Sequence, residues 1–338
     1  MSDGRGHRLP LGVLLAAALL AVQPVVRAYL PFGVSLDGRT VPLRWEAPVR
    51  WFVRDAGTAG VTASELQASL ARAFDTWQAV PTASVTFAFA GFTAAAPLDD
   101  DGISVLGFRD EPGLERVLGA TSLLVDTLTG EILEADVFFN TTFPWSTAPE
   151  GEPQRFDLDS VAVHEIGHLI GLGHSAIGET ELLPDGRRRV VASGTVMFPI
   201  AFGVGRTLDR RLQPDDVAGV SDLYPAQGFA AATGVAQGRV TRDGVPVYGA
   251  HVVLLHLETG AMVGGFSLAG GEFVVAGLRP GLHAIRIEPL DDALPASFLD
   301  DSARVDVDFP VSFHPRLVTV PAGGAGPRIE LTVGRRAS

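Results

Sequence analysis

Residues 164–174 read His164, Glu165, Ile166, Gly167, His168, Leu169, Ile170, Gly171, Leu172, Gly173, His174, and they hold the types and spacing best suited to chemistry in this chain. Side chains four apart share a helix face, so His164 and His168 can each turn one ring nitrogen toward a single ion. Glu165 then sits beside that ion without being needed as a ligand. Gly171 can take a positive φ, which ends the helix and swings His174 back toward the same point. Three neutral imidazoles would leave a fourth tetrahedral position for water, which is the mark of a catalytic rather than a structural zinc site. Chance gives the five fixed identities at this spacing in roughly one such chain in 10⁴ to 10⁵, so an inert helix is the weaker reading. Two histidines among Val161, Ala162, Ile166, Leu169 and Ile170 would also bury nitrogens that need partners, and an ion supplies them.

The elements that must position these residues follow from periodicity. Val49, Trp51 and Val53 alternate as on one strand face, whereas Leu66, Leu70, Ala73, Phe74 and Trp77 repeat with helical spacing. Further strands are expected at residues 85–89, 103–108, 121–125 and 132–139, the last two joined by a turn at 126–130. The ligand helix should span 158–170 with Asp157 as its N-cap. A shorter helix should span 214–223, opened by Pro214, favoured by Asp215 and Asp216 at its positive end and stopped by Pro225. From residue 234 the chain becomes short β-prone runs punctuated by Gly and Pro, with residues 227–233 as the natural boundary. The expected fold is α+β, a mixed twisted sheet with long helices over residues 39–226, followed by a small all-β sandwich over 234–290. Residues 291–338 have no independent assignment and are read as a β extension of the second part.

Composition narrows the chemistry. The 338 residues contain no Cys, which excludes disulfides, thiolate metal sites, iron–sulfur clusters and cysteine nucleophiles. All 26 basic residues are Arg, so Schiff-base lysines and P-loop chemistry are excluded too. A formal charge of −13 argues against nucleic-acid partners and anionic lipid surfaces. That charge sits in residues 29–226, which carry 14 Arg against 27 acids. At the N-terminus, Arg5 and Arg8 precede an apolar run at 11–22, and Val26, Arg27 and Ala28 suit a cleavage site. Residues 1–28 therefore read as a signal peptide, with a secreted or extracytoplasmic, monomeric mature protein. An uncleaved anchor is the alternative, although the run is shorter than the ~20 residues a bilayer span needs. The lack of Cys is unusual for such a compartment.

The 164–174 segment resembles the extended zinc motif of the metzincin metallopeptidases. Ser175 directly after the third His makes it similar to the matrixin family. Met197, within Gly194, Thr195, Val196, Met197, Phe198 and Pro199, resembles the Met-turn, an apolar floor beneath the imidazoles. Residues 215–224 resemble the helix that closes a matrixin catalytic domain. The resemblance implies a zinc endopeptidase acting on polypeptide substrates, with His164, His168 and His174 as ligands and Glu165 as general base. It further implies an edge strand (Leu118, Gly119, Ala120, Thr121, Ser122) that pairs with extended substrate, and a specificity pocket walled from Pro199 to Phe202. Residues 234–290, with Gly244, Gly271, Gly277 and Gly281 at their turns, resemble the carboxypeptidase regulatory-like β-sandwich.

Departures qualify the resemblance. No His lies between Val34 and Val163, and Phe138 occupies the expected position of a structural-zinc ligand, so no second zinc is expected. Phe198 follows Met197 where a Tyr is common. The 22 residues between His174 and Met197 make a long loop containing Arg187, Arg188 and Arg189, read as solvated. Calcium is open: Asp99, Asp100 and Asp101, and the group Asp126, Glu131 and Asp136, offer hard oxygens, but acidic turns are commonly just solvated. His251 and His256, five apart on a strand, should face opposite ways as surface or satisfied core residues. With no prodomain thiol and about ten residues between Ala28 and the first domain, the enzyme should leave the signal peptidase active or be restrained by other means. The competing reading is a secreted zinc-containing binding protein whose groove the inserted loop blocks.

Overall fold

The computed structural model describes residues 31–36, 39–184, 188–291, 293–299 and 301–336. The leader reading at 1–28, and Arg187 of the arginine run, lie outside the described residues. The chain opens with a hairpin, β1 (Gly33–Leu36) and β2 (Arg39–Pro42), followed by β3 (Val49–Arg54) and helix α1 (Ala63–Gln78). Thr62 caps α1 through a reciprocal box: its hydroxyl accepts from the Glu65 amide, while the Glu65 carboxylate accepts from the Thr62 amide. Leu66, Leu70, Ala73, Phe74 and Trp77 form the buried face of α1, as their spacing predicts.

Strands β4 (Phe87–Thr93), β5 (Ser104–Arg109), β6 (Gly119–Val125) and β7 (Ile132–Asn140) complete a five-stranded sheet ordered β4-β3-β5-β7-β6. Only the β6–β7 pair is antiparallel, so the sheet is mixed and β6 lies at its edge. The strand expected at 85–89 begins two residues later. Its ladder with β3 opens at the Val49–Phe87 pair, and Phe87 N first donates to Gln78 Oε1 (2.9 Å).

Two short strands, β8 (Trp145–Ser146) and β9 (Phe156–Asp157), lead into α2 (Leu158–Leu169). Asp157 caps α2 by accepting from Ser160 N (3.0 Å). Trp77 Nε1 donates to Val163 O (2.8 Å), and Arg72 forms a bidentate pair with Asp159 at 2.7 and 2.8 Å, locking α1 to α2. The segment after the ligand helix, read as a solvated loop, is a hairpin of β10 (Gly178–Leu182) and β11 (Arg188–Ser193). Cross-strand pairing places Arg189 against Glu181, and Arg188 donates to Asp291 O (2.5 Å). Helix α3 (Pro214–Leu223) follows the Met197 turn. The segment 227–233, read as the boundary, contains the one-turn helix α4 (Phe229–Ala232), whose Phe229 is buried.

The C-terminal β region has two five-stranded sheets. One contains β12 (Gly234–Arg242), β13 (Val245–Pro246), β16 (Glu272–Leu278), β20 (Gly324–Ala325) and β21 (Ile329–Thr332). The other contains β14 (His251–His256), β15 (Met262–Phe266), β17 (Gly281–Glu288), β18 (Ser312–Phe313) and β19 (Val318–Val320). Their apolar residues join the core of residues 43–224 without a break. His251 and His256 are both buried and partnered, His251 by Glu288 (2.8 Å) and His256 by Thr259 (2.9 Å), so neither is a surface residue. Among the described residues, no helix is long and apolar enough to cross a membrane.

Candidate metal centre

Helix α2 is buried along nearly its whole length, and its sequence explains how. At Gly167 an added Cβ would lie 2.2 Å from Met197 Sδ and 3.0 Å from Trp77 Cζ2, so only glycine lets the turn at Met197 and helix α1 close on the ligand helix. The helix then has to stop and satisfy its last carbonyls. Trp45 Nε1 donates to Leu169 O (2.8 Å), the Tyr224 hydroxyl to Ile170 O (2.8 Å), and the Gly171 and Leu172 amides to His168 O and Gly167 O (2.8 and 3.0 Å). Gly171 takes φ +96°, and a Cβ there would meet Leu43 O at 2.3 Å. The reversal brings His174 beside the helix, as the glycine spacing predicts.

The three histidines converge. His168 Nε2 lies 3.1 Å from both His164 Nε2 and His174 Nε2, and one ring nitrogen of each residue falls within 4.8 Å of the others. Each Nδ1 faces a backbone carbonyl: Val196 O for His164 (2.7 Å), Leu172 O for His168 (2.8 Å) and Ser297 O for His174 (2.8 Å). A carbonyl can only accept, so each Nδ1 bears the proton and each Nε2 keeps its lone pair. Burial pushes His164 down to about 3, His168 well below its ordinary value and His174 in the same direction, so the rings are neutral. Three lone pairs that point together with no proton between them are satisfied by a cation. The separation suits zinc, because nitrogens about 2.0–2.1 Å from a tetrahedral ion sit roughly 3.3 Å apart.

Glu165 lies next to this cluster. Burial raises its carboxyl to about 7, opposed by the Thr121 hydroxyl, which lies 2.8 Å from Glu165 Oε2 and 3.0 Å from Glu165 O. Thr121 and Gly119 belong to edge strand β6. A Cβ on Gly119 would come within 3.3 Å of Glu165 Oε1 and 2.9 Å of Phe138 O, so glycine keeps that oxygen clear. Leu118 packs against the core just before β6, and its carbonyl accepts from Asn140 N (2.8 Å), while Ala120 pairs with Phe138 on β7.

Met197 is buried beneath the ligand helix, and Met197 O accepts from Ser175 N (2.9 Å). Pro199 is half-buried beyond it, and Ile200 packs against a small apolar cluster of Ala176, Phe266, Leu290, Ala293, Phe298 and Leu299. The segment after Met197 thus packs against the C-terminal region. A cavity of about 10 Å³, room for at most one water, remains among Ala176, Phe198, His251, Glu288, Leu290 and Phe298. A roomier cavity of about 340 Å³ beside Arg72, Thr76, Asp159 and Arg210 is lined by none of the three histidines.

Three contributors escaped the sequence reading. Asp216, taken there only as a helix-dipole residue, accepts at 2% exposure from Gln213 N (2.8 Å), Val196 N (3.0 Å), Met197 N (3.3 Å) and the Thr195 hydroxyl. It fixes the turn whose Val196 carbonyl orients His164. Phe32 places its ring 5.4 Å from that of His168 and donates its amide to Gly171 O (2.9 Å), so the described fold begins upstream of residue 39. Ser297 supplies the carbonyl for His174 from far along the chain. Hydropathy and motif spacing give no signal for any of the three.

Among the described residues, the candidate calcium ligands form no group of three close enough to share an ion. Asp136 is buried on β7 and accepts from Val105 N (2.7 Å) and Leu98 N, while Asp126 serves its own turn through Leu128 N (2.7 Å). Among the described residues, the three histidines form the only group of three or more His, Asp or Glu close enough to share an ion.

The Matrixin family profile matches residues 44–225. Metalloendoproteinase 5-MMP of Arabidopsis thaliana is 41% identical over 68 residues, which cover 20% of this chain and 14% of that protein. Metalloendoproteinase 2-MMP of the same plant is 43% identical over 70 residues, 21% of this chain and 14% of that protein. Matrilysin of Rattus norvegicus is 32% identical over 95 residues, 28% of each. The similarity therefore spans about one seventh of the plant relatives' length. Because the profile match takes in over half of the chain and encloses the converging histidines, the ligand helix and the Met197 turn, the chain belongs to the matrixin family.

Proposed function

We propose that the protein is a secreted, zinc-dependent endopeptidase that hydrolyses peptide bonds with Glu165 as general base. The observation behind this reading is the convergence of three neutral, tautomer-locked histidines beside a buried carboxylate whose pKa lies near neutrality. His164, His168 and His174 would hold the metal through Nε2. Zinc so held supplies an acidified water and polarises the scissile carbonyl. Thr121 occupies Oε2 of Glu165, which leaves Oε1, on the cleared Gly119 side, to take a proton from water and pass it to the leaving amine. The backbone of β6 (Gly119, Ala120, Thr121) offers its free edge to extended substrate, and Leu118 and Pro199 bound that groove.

Secretion rests on the charged-then-apolar pattern of residues 5–28. Residues 234–338 are read as an accessory β module. One catalytic zinc is proposed, and no role is assigned to calcium.

The test is zinc content together with cleavage of an unfolded protein such as casein by the mature chain, compared with Glu165→Ala. Stoichiometric zinc and cleavage that the substitution abolishes support the reading. Stoichiometric zinc without faster cleavage by the wild type would instead establish a zinc-containing binding protein. A mature N-terminus at Tyr29 would support export and exclude a retained anchor.

A further inference from the structure

The three histidines do not draw their orienting carbonyls from the same part of the chain. Val196 and Leu172 lie inside the matched region 44–225, but Ser297 lies 123 residues beyond His174, in the C-terminal β region. We propose that the turn at residues 295–299 is a positioning element of the metal centre. In this role the Ser297 carbonyl fixes the tautomer and ring direction of His174, and Phe298 and Leu299 hold that carbonyl in place. The proposal rests on the reading of the three histidines as zinc ligands.

The turn is built to hold one position. Pro295 opens a single 3₁₀ turn (Pro295–Ser297), and its carbonyl accepts from both the Phe298 and Leu299 amides at 3.0 Å. Those two bonds close the turn on itself and leave the Ser297 carbonyl to point outward at His174 Nδ1. The flanks are anchored: Phe298 and Leu299 are 6% and 7% exposed, and both pack in the cluster with Ala176, Phe266, Leu290 and Ala293. The Phe298 ring stands 5.7 Å from Phe266 and 6.4 Å from the imidazole of His174. Leu299 Cδ1 fills the space over Gly249 that a Cβ would need, 3.2 Å away. Leu294, just before the turn, joins it only through its carbonyl, which accepts from Ser297 N (2.8 Å); the residue is by contrast 76% exposed, and its side chain takes no part in the anchoring cluster.

Such an arrangement has a physical rationale at this ligand in particular. His164 and His168 project from a buried helix, whose backbone already restricts their rings. His174 stands beyond the Gly171 reversal, where no helix does so. Its Nδ1–H therefore needs an external acceptor, and partners of this kind typically govern 10- to 100-fold in metal affinity.

The test uses the full-length chain with Phe298→Ala, Leu299→Ala, the double variant, the conservative Phe298→Leu, and Leu294→Ala as a control on the exposed side of the turn. Zinc affinity is read by chelator competition, the cobalt-substituted protein by its visible ligand-field spectrum, and the His174 Nδ1–H by exchange with solvent in NMR. Expected results are a 10- to 100-fold weaker zinc affinity in the double variant, an altered cobalt spectrum and faster exchange at His174 alone. Phe298→Leu should recover most of the affinity, and Leu294→Ala should match wild type. A folded double variant that binds zinc within about threefold of wild type, with His174 exchange unchanged, overturns the proposal. A wild type that binds no zinc overturns the reading of the site itself. If the double variant does not fold, the decision falls to wild-type exchange in the zinc-free chain: slow exchange at His174 supports the proposal, and free exchange overturns it.

Discussion

Replacing Gly171 by Ala tests the geometry that brings His174 to the other two histidines. The residue holds φ +96°, and an Ala Cβ would lie 2.3 Å from the Leu43 carbonyl oxygen, a backbone atom that cannot rotate away. Left-handed backbone costs an L side chain about 1–2 kcal/mol, and the overlap adds about 1–3 kcal/mol. Loss of glycine's freedom in the unfolded chain returns about 0.4–1 kcal/mol. The net cost is about 2–4 kcal/mol, and it has two outlets. If the turn keeps its shape, urea unfolding of the zinc-free protein loses that amount of stability. If the turn relaxes, His174 retracts and zinc affinity falls by roughly 30- to 900-fold instead. Both are measured on one preparation, by urea titration and chelator competition. Gly203→Ala, where an added Cβ meets nothing within 4 Å, serves as control and should stay within about 0.5 kcal/mol of wild type. Gly171→Ala that changes stability by less than about 0.5 kcal/mol and affinity by less than about threefold would refute the argument that this glycine delivers the third ligand.

Glu165→Gln keeps the shape of the side chain and its bond to Thr121, so cleavage should fall by about 10²–10⁴-fold while zinc affinity stays within about threefold. Equal losses in both would mean that Glu165 serves the metal rather than the proton. Because burial raises Glu165 to about 7 and a base must be ionised, kcat/KM should fall as pH drops through the carboxyl's pKa. Thr121→Val removes the bond that favours the ionised form, so the acid limb should move to higher pH; an unmoved limb counts against the Thr121 contact. Asp216→Ala strands the amides of Val196, Met197 and Gln213, and should cost about 3 kcal/mol in urea unfolding after local relaxation, with weakened zinc binding. Removing zinc with a chelator should lower stability by about 4 kcal/mol relative to protein at zinc a thousandfold above Kd. An unchanged unfolding midpoint would deny that the folded site holds the ion.

Local patterns were legible because their causes are local. The helix periodicity of Leu66 to Trp77, the Asp157 cap, Pro214 at the start of α3 and the positive φ at Gly171 each depend on a few neighbouring residues, and each stands where expected. The strand at 85–89 was displaced because a parallel partner, not the segment itself, chose where the ladder starts. The Arg188 and Arg189 segment, read from its charge as a solvated loop, keeps Arg189 exposed, but pairing with Glu179–Leu182 across a hairpin makes it a strand. The acidic group Asp126, Glu131 and Asp136 is close in sequence, but β7 turns Asp136 inward to accept two amides while Asp126 stays at the turn.

By itself the sequence put His164 and His168 on one helix face with Glu165 beside them, because a helix of fixed pitch converts a spacing of four directly into a shared face. What it could not determine was how those groups are held. That depends on Thr121 reaching Glu165 from the sheet edge, on Asp216 fixing the Met197 turn, and on Ser297 presenting its carbonyl to His174. Two of the three orienting links end on main-chain atoms, which every residue possesses, so no side-chain pattern marks them. Contacts separated by 20, 44 and 123 residues exist only once the sheet, the helices and the C-terminal β region have packed together.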